Sequence, residues 1–383
     1  MTALKFQNSR PLIIQGLLYL FVNSLFILKY FSRAGINSPA VLIAYSIIII
    51  LSVYIYCSTA YKITEKLFRI VFWAFMCLIG LAIIILLIKI DPYSVRVDRW
   101  SAVSFFLDYL FHGKYPYSAH THVSVSNFAS PFPVWHILNI PFYLLGDVGI
   151  GLIFFLLLTA VSVQFFFTSY RKSFFFLFLL FLSPAYWWEV AVRSDSLSNA
   201  LLVFTFILWF ERKKYSISTN FWLTVIACGL IASTRLTAIL PIAVYFFRPF
   251  LQLSLKHKLI FIVSTLGVTI VTFTPFIFWD TTNWIFFHRN PFMSQTSVGN
   301  PYLLFAMLLL GCLIAIRIKT FSQLFNSVAI FIFIFVLSSQ VSLILTRGIQ
   351  GSIFTDSLYD VSYFTLILPY TLAAIASTKQ QKQ

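Results

Sequence analysis

Residues 70–90 read IVFWAFMCLIGLAIIILLIKI, and only Lys89 among them is charged. A helix of that length is roughly 30 Å long, the thickness of a bilayer's hydrocarbon core. Lipid offers no partners for backbone N–H and C=O groups, so such a segment must cross as a helix. The run is too continuous for the alternating pattern of a membrane barrel. The rest of the chain extends this reading. Of its 383 residues, 60% are hydrophobic and only 10% are charged. That composition predicts an all-α polytopic membrane protein.

The expected spans lie near 12–31, 39–59, 70–90, 147–168, 173–185, 196–210, 219–234, 236–249, 259–279, 301–316, 324–345 and 361–377. They number about 12, within a range of 10–13. Residues 1–383 are expected to form one integral membrane domain with no separate soluble part. The first apolar segment is followed by no A-x-A-like cleavage site, so it is expected to be a retained span. Cys57, Cys77, Cys228 and Cys312 all lie in apolar segments, and their spacing matches no metal or redox motif. No internal repeat is visible.

The net charge of +16 would suit nucleic acid, but its distribution argues otherwise. Seventeen of the 27 basic residues fall in short clusters between apolar runs: Lys5 and Arg10; Lys62, Lys66 and Arg69; Arg171 and Lys172; Arg212, Lys213 and Lys214; Arg248, Lys256 and Lys258; Arg317 and Lys319; Lys379 and Lys382. Cytoplasmic loops carry this bias, so both termini are expected in the cytoplasm. Only two of the 11 acids, Glu65 and Glu211, then fall inside. The other nine fall outside: Asp91, Asp98, Asp108, Asp147, Glu189, Asp195, Asp280, Asp356 and Asp360. Polar chemistry is thus expected on the outer face, where the longer loops also lie.

The first outer loop, 91–146, contains VDRWSAVSFFLDYLFHGKYPYSAHTH from Val97 to His122. At about 100° per residue, Trp100, Val103, Phe106, Leu107, Leu110 and Phe111 share one arc, and Asp98, Ser101, Ser104, Asp108 and His112 another. This predicts an amphipathic helix over 98–112 lying in the membrane interface. Gly113 stands at a C-terminal cap position, and an extended Lys114-Tyr115-Pro116-Tyr117 follows. Residues 131–147, PFPVWHILNIPFYLLGD, are broken by prolines and read as a second interfacial or half-inserted helix.

An acid outside a span, an aromatic amphipathic helix and G-x-x-P-Y resemble the GT-C class of polyprenyl-phosphate-sugar-dependent glycosyltransferases. The matching pieces are Asp98, Gly113-Lys114-Tyr115-Pro116-Tyr117 and SPFPVWHILNIPF (130–142). Ser183-Pro184, then Arg193-Ser194-Asp195, then Ser233-Thr234-Arg235 follow in order. The resemblance covers about residues 70–290 and implies a GT-C-like core at about 70–377. In that class the acidic loop usually follows the first span; here it follows the third, so 12–59 would be extra N-terminal spans.

The resemblance implies an inverting transfer at the extracytoplasmic face. A hydroxyl of a glycan, lipid or protein acceptor attacks the anomeric carbon of a lipid-linked sugar, and polyprenyl phosphate leaves. Such a site needs a carboxylate base and cations for the phosphate. Asp98 is the expected base, with Asp91 and Asp108 as the other candidates. Their plain structural readings are a helix cap, a helix stop at Asp-Pro and a solvated face. Expected substrate-binding residues are Arg235, Arg193 and Arg347 for phosphate, with Asp195, Lys114 and Tyr117. His120-x-His122 is a weak candidate for holding a divalent metal with a carboxylate such as Asp98. His288 and the outer tryptophans and tyrosines fit interfacial belts. The expected location is a bacterial inner membrane, in cell-envelope glycan biosynthesis. Two alternatives stay open: a polysaccharide polymerase or ligase using lipid-linked donors, and a lipid-linked sugar transporter or flippase.

Overall fold

The computed structural model describes residues 10–58, 64–285, 290–296, 301–355 and 360–378. Lys5, Lys62, His288, Asp356, Lys379 and Lys382 lie outside the described residues. In chain order the helices are α1 (Arg10–Phe26, running on through a π-turn at Ile27–Phe31), α2 (Ser38–Ser58), α3 (Glu65–Lys89), α4 (Arg99–Phe111), α5 (Pro133–Leu144), α6 (Gly151–Phe167), α7 (Tyr170–Phe181), α8 (Pro184–Ala191), α9 (Asp195–Arg212), α10 (Phe221–Ala232), α11 (Ile239–Leu251), α12 (Leu255–Trp279), α13 (Thr281–Ile285), α14 (Pro291–Thr296), α15 (Pro301–Arg317), α16 (Phe321–Ile349) and α17 (Leu368–Ala376). No strand is formed among the described residues.

The protein is a helical, polytopic membrane protein. Six described helices are long and apolar enough to cross a bilayer, or seven if α7 and α8, bent by 66°, form one span. Each of the twelve expected stretches contains a described helix, but length and composition qualify only these as spans. Helices of 12 or 13 residues, such as α10 and α11, reach only about 20 Å and need tilt or partners to cross.

The chain divides into two compact units. The first comprises Met1–Ile79, Val163–Trp188 and Arg317–Gln383, so the N-terminal helices group with the last ones. Its most informative feature is the break at Ser183-Pro184. Proline has no N–H and ends the run of α7, leaving terminal carbonyls without intrahelical donors. All four are nevertheless satisfied: Phe178 by Leu182 N, Leu179 by the Tyr19 hydroxyl at 2.5 Å, Leu180 by Ser183 N, and Phe181 by Trp187 Nε1 at 2.6 Å. The first donors of α8 are satisfied too. Ala185 N reaches Asn23 Oδ1 at 3.2 Å, Tyr186 N reaches Ser183 Oγ at 3.2 Å, and Trp187 N reaches Ser183 O. Asn23 Oδ1 also accepts from the Ser183 hydroxyl at 2.6 Å. Tyr19 and Asn23, one turn apart on α1, are fully buried. In the same unit Lys29, at the π-turn, is 3% exposed and pairs with Asp360 at 2.6 Å.

The second unit comprises Gly80–Ser162 and Glu189–Ile316. Here α4 occupies the expected amphipathic stretch. Trp100, Val103, Phe106 and Leu107 are buried, while Phe111, predicted to share that arc, is exposed. Ser101, predicted on the polar arc, is also buried, because it binds His122. Gly113 takes φ +67° past the helix end. There Lys114 N bonds Tyr109 O and Gly113 N bonds Leu110 O, a Schellman closure that a Cβ would strain. α5 packs beside α4: the His136 ring stacks on Phe106 at 3.5 Å, and Trp135 on Phe155 at 5.0 Å.

Candidate functional site

Three sequence-distant segments of the second unit meet where α9 begins. The backbone of 132–134 bonds that of 233–234, through Phe132 N to Thr234 O and Val134 N to Ser233 O. Gln295 ties the same place, donating to Ser130 O and accepting from Leu236 N at 2.8 Å. This fixes Arg235 opposite the first turn of α9. Its Nε and Nη2 then reach one carboxylate oxygen of Asp195, Oδ2, at 2.9 and 2.6 Å.

Two further ion pairs stand beside it. Arg99, the first residue of α4, binds Glu189 at 3.1 Å and the Ser194 hydroxyl at 2.7 Å. Ser194 caps α9, its side chain accepting from Ser196 N. Arg193 has φ +49°, a left-handed conformation that costs a non-glycine residue. Its guanidinium holds that geometry. Nη2 donates to Leu87 O at 2.6 Å and Ile90 O at 3.0 Å, at the C-terminal end of α3, and Nε lies 3.2 Å from Asp147 Oδ2. Asp147 in turn accepts from Trp100 Nε1 at 2.9 Å and Gly149 N at 2.8 Å. Three guanidiniums thus meet three carboxylates. Glu189 is fully buried, and Arg193, Asp195 and Arg235 are each under a tenth exposed. Burial at this cost is sustained only by such pairing.

The network borders a narrow cleft with about 10 Å³ of water-accessible space, room for about one water molecule. Arg99, Trp135, Asn139, Arg193, Asp195 and Ser198 line it, over apolar walls from Val103, Leu152 and Phe155. Several polar atoms here have no partner among the described residues: Asp195 Oδ1, Trp135 Nε1 and, further along the start of α9, Ser196 Oγ and Asn199 Nδ2. His136, behind Trp135, donates from Nε2 to Pro131 O at 3.2 Å. Burial drives its pKa down to about 3; the Pro131 carbonyl opposes this and the Arg235 charge adds to it, so the ring is neutral.

Of the predicted site residues, Arg193, Asp195 and Arg235 come together here. Both arginines, expected to hold phosphate, are clamped to carboxylates. Asp98 precedes Arg99 but does not line the cleft. It occupies the N-cap position of α4 without a capping bond; instead its Oδ2 accepts from Asn127 Nδ2 at 2.9 Å. Asp91 is exposed and caps the turn at Pro92–Ser94 through Tyr93 N. Asp108 lies ten residues along α4 from Asp98, about 15 Å away, and binds the Tyr143 hydroxyl at 3.3 Å. Lys114 is exposed, over the Tyr109 ring. Tyr117 is fully buried, its hydroxyl on Pro131 O. Arg347 belongs to the other unit and is exposed, before Gly348. His122 uses both ring nitrogens, on Ser101 Oγ at 2.7 Å and Val95 O at 3.0 Å. Among the described residues no three His, Cys, Asp or Glu side chains gather as a metal site would require.

Sequence reading did not single out Arg99, Trp135, Asn139, Asp147 or Glu189 as site residues. Glu189 carried the clearest signal, an acid inside the apolar, aromatic YWWEVAV just before Arg193-Ser194-Asp195. Comparison of the chain with protein-family models, curated proteins and solved structures finds no match in any of the three.

Proposed function

We propose that this protein is an integral membrane glycosyltransferase that moves a sugar from a polyprenyl-phosphate donor to a hydroxyl acceptor at the extracytoplasmic face. The observation that supports this reading is the cluster of buried charges at the start of α9, whose Arg99 directly follows Asp98 in the chain, in a protein with only 10% charged residues. Asp98 is the base. It is half-buried, and Asn127 Nδ2 donates to its Oδ2; in this reading Oδ1 takes the proton of the incoming hydroxyl. The acceptor oxygen bonds the anomeric carbon from the side opposite the phosphate, its proton passes to Asp98, and the lipid phosphate departs with the bonding electrons. Attack from behind inverts the anomeric centre. Lys89 and Arg96, both exposed and with no carboxylate partner among the described residues, precede Asp98 in sequence and are the cations for the phosphate. The membrane is a bacterial inner membrane with both termini cytoplasmic, and the twelve apolar helical stretches are its crossings.

The capped break between α7 and α8 weighs against a flippase. Transporters use bare half-helix ends to hold substrate or ions, and here those ends are occupied by side chains. The test is transfer of radiolabelled sugar from polyprenyl-phosphate donors by the protein in nanodiscs. Asp98→Asn should lower turnover at least 100-fold with unchanged thermal stability, on the scale of losing a general base (about 10²–10⁴-fold). Near-normal turnover in that variant sinks the assignment. Movement of lipid-linked sugar across vesicles without a new glycosidic bond would favour the transporter.

A further inference from the structure

The ends of α9, α10, α11 and α12 gather at one end of the second unit. The Tyr245 hydroxyl of α11 donates to Glu211 Oε2 of α9 at 3.1 Å. The Phe221 ring, at the start of α10, lies 5.9 Å from His257 near the start of α12, and Phe250 of α11 lies 5.9 Å from Phe261 of α12. These ends and their loops carry Arg212, Lys213, Lys214, Arg248, Lys256 and Lys258, against the single acid Glu211. Lys214 and Lys256 are exposed, and Lys258 is partly so. Three of these lysines cost the fold stability. Lys214 closes α9 in a Schellman turn, its N bonded to Glu211 O and Tyr215 N to Phe210 O. It does so at φ +56°, where glycine fits and a side chain is strained. Lys256 and Lys258 stand in the first turn of α12, at the positive end of the helix dipole, and that turn holds no acid. Arg212 and Lys213, at the negative end of the α9 dipole, carry no such cost.

We infer that this end of the unit is a binding surface for anionic phospholipid headgroups, with Lys214, Lys256 and Lys258 as the cations that meet their phosphates. A lipid is favoured over a soluble acidic partner because these cations are set among apolar side chains. Leu255, Leu259 and Trp222 are each more than half exposed, and α12 is one of the helices able to cross a bilayer. Such side chains belong at the edge of the hydrocarbon, which puts the ammonium groups beside them in the headgroup layer. A headgroup phosphate there supplies the negative charge that the first turn of α12 lacks. Each lysine near an anionic membrane surface strengthens binding roughly five-fold, which offsets what its placement costs the fold. The lipid surface is independent of the glycosyl-transfer reading.

The experiment is native mass spectrometry of the full chain in detergent, with phosphatidylglycerol and phosphatidylcholine of the same acyl chains offered in equal amounts. The parent should retain phosphatidylglycerol in preference, and salt at about 1 M should erase the difference. Lys256→Gln combined with Lys258→Gln should lower the preference roughly 25-fold, about five-fold for each lysine. Lys114→Gln should leave it unchanged, since neighbouring Tyr117 packs on Phe276 near the far end of α12. Lys214→Gly separates lipid binding from folding. It relieves the left-handed strain, so its melting temperature with phosphatidylcholine alone should rise by about 1–2 °C. Its retention of phosphatidylglycerol should nevertheless fall roughly five-fold. The lipid surface is ruled out if the parent shows no preference, or if the preference survives unchanged in both the Lys214→Gly variant and the double variant. Displacement of the lipid by inorganic phosphate would also overturn it, making free phosphate the ligand. Binding of poly-L-glutamate without any preference for phosphatidylglycerol would assign the surface to an acidic protein instead.

Discussion

Arg235 and Asp195 are 7% and 6% exposed in their side chains, so neither charge can fall back on water. Arg235→Ala strands a buried carboxylate and should cost about 3–5 kcal/mol, read as a loss of melting temperature in detergent. Pairing Arg235→Met with Asp195→Asn should recover most of that loss; no recovery would mean the guanidinium matters beyond its charge. His136 makes a pH-dependent prediction. Its folded pKa is about 3, below the ordinary 6.5, so between those values the unfolded chain binds a proton that the folded one refuses. Stability therefore falls as pH drops below 6.5, by about 1.4 kcal/mol per unit. His136→Gln, which keeps a donor for Pro131 O, should flatten that slope between pH 6.5 and 4.5. At this scale the sequence was a partial guide. Asp98 could be read as a cap because aspartate caps well, but its actual partner, Asn127, is 29 residues away in a loop. The three ion pairs join residues 90, 46 and 40 positions apart, Arg99–Glu189, Asp147–Arg193 and Asp195–Arg235, and a single sequence carries no sign of such pairings.

Elements were more legible where periodicity is strong and less so where chain breaks decide the outcome. α4 follows from its 100° pattern and from Gly113, but the burial of Ser101 needed His122 from the following loop. The short stretch at 173–185 signalled a helix ending in Ser-Pro. That α1 would supply Tyr19 and Asn23 to heal the break was not visible, because both look like ordinary polar residues in a long apolar run. Asn23→Ala leaves the Ser183 hydroxyl and Ala185 N–H without their acceptor. It should cost about 1–3 kcal/mol, since each buried orphan is expensive. Ser24→Ala next door, whose hydroxyl only returns to Leu20 O, should stay within about 0.5 kcal/mol. Equal melting temperatures for the two variants would mean the break is not held from α1.

Over the whole molecule, composition established the helical membrane class, while the number of crossings stayed beyond it. A hydropathy pattern locates apolar stretches, but a 12-residue helix such as α10 can tilt, dip in or pack inside, and only neighbours decide which. Charge asymmetry gives an expected orientation, and that expectation can be tested directly. With Cys57, Cys77, Cys228 and Cys312 replaced by serine or alanine, single cysteines at exposed Arg96 and Lys114 should react with an impermeant maleimide in intact cells. Cysteines at exposed Lys213 and Lys256 should react only after permeabilisation. The reverse pattern would turn the protein over and remove the proposed chemistry from the outer face. The healed break at Ser183-Pro184 also bears on how the chain is made. α1 leaves the ribosome some 150 residues before α7 and α8, so the hydroxyl and amide that complete the bent pair are already in the bilayer when it arrives. A permuted gene that translates α1 last would deliver the same residues too late, and its product should be degraded during insertion even though every contact of the finished fold remains available.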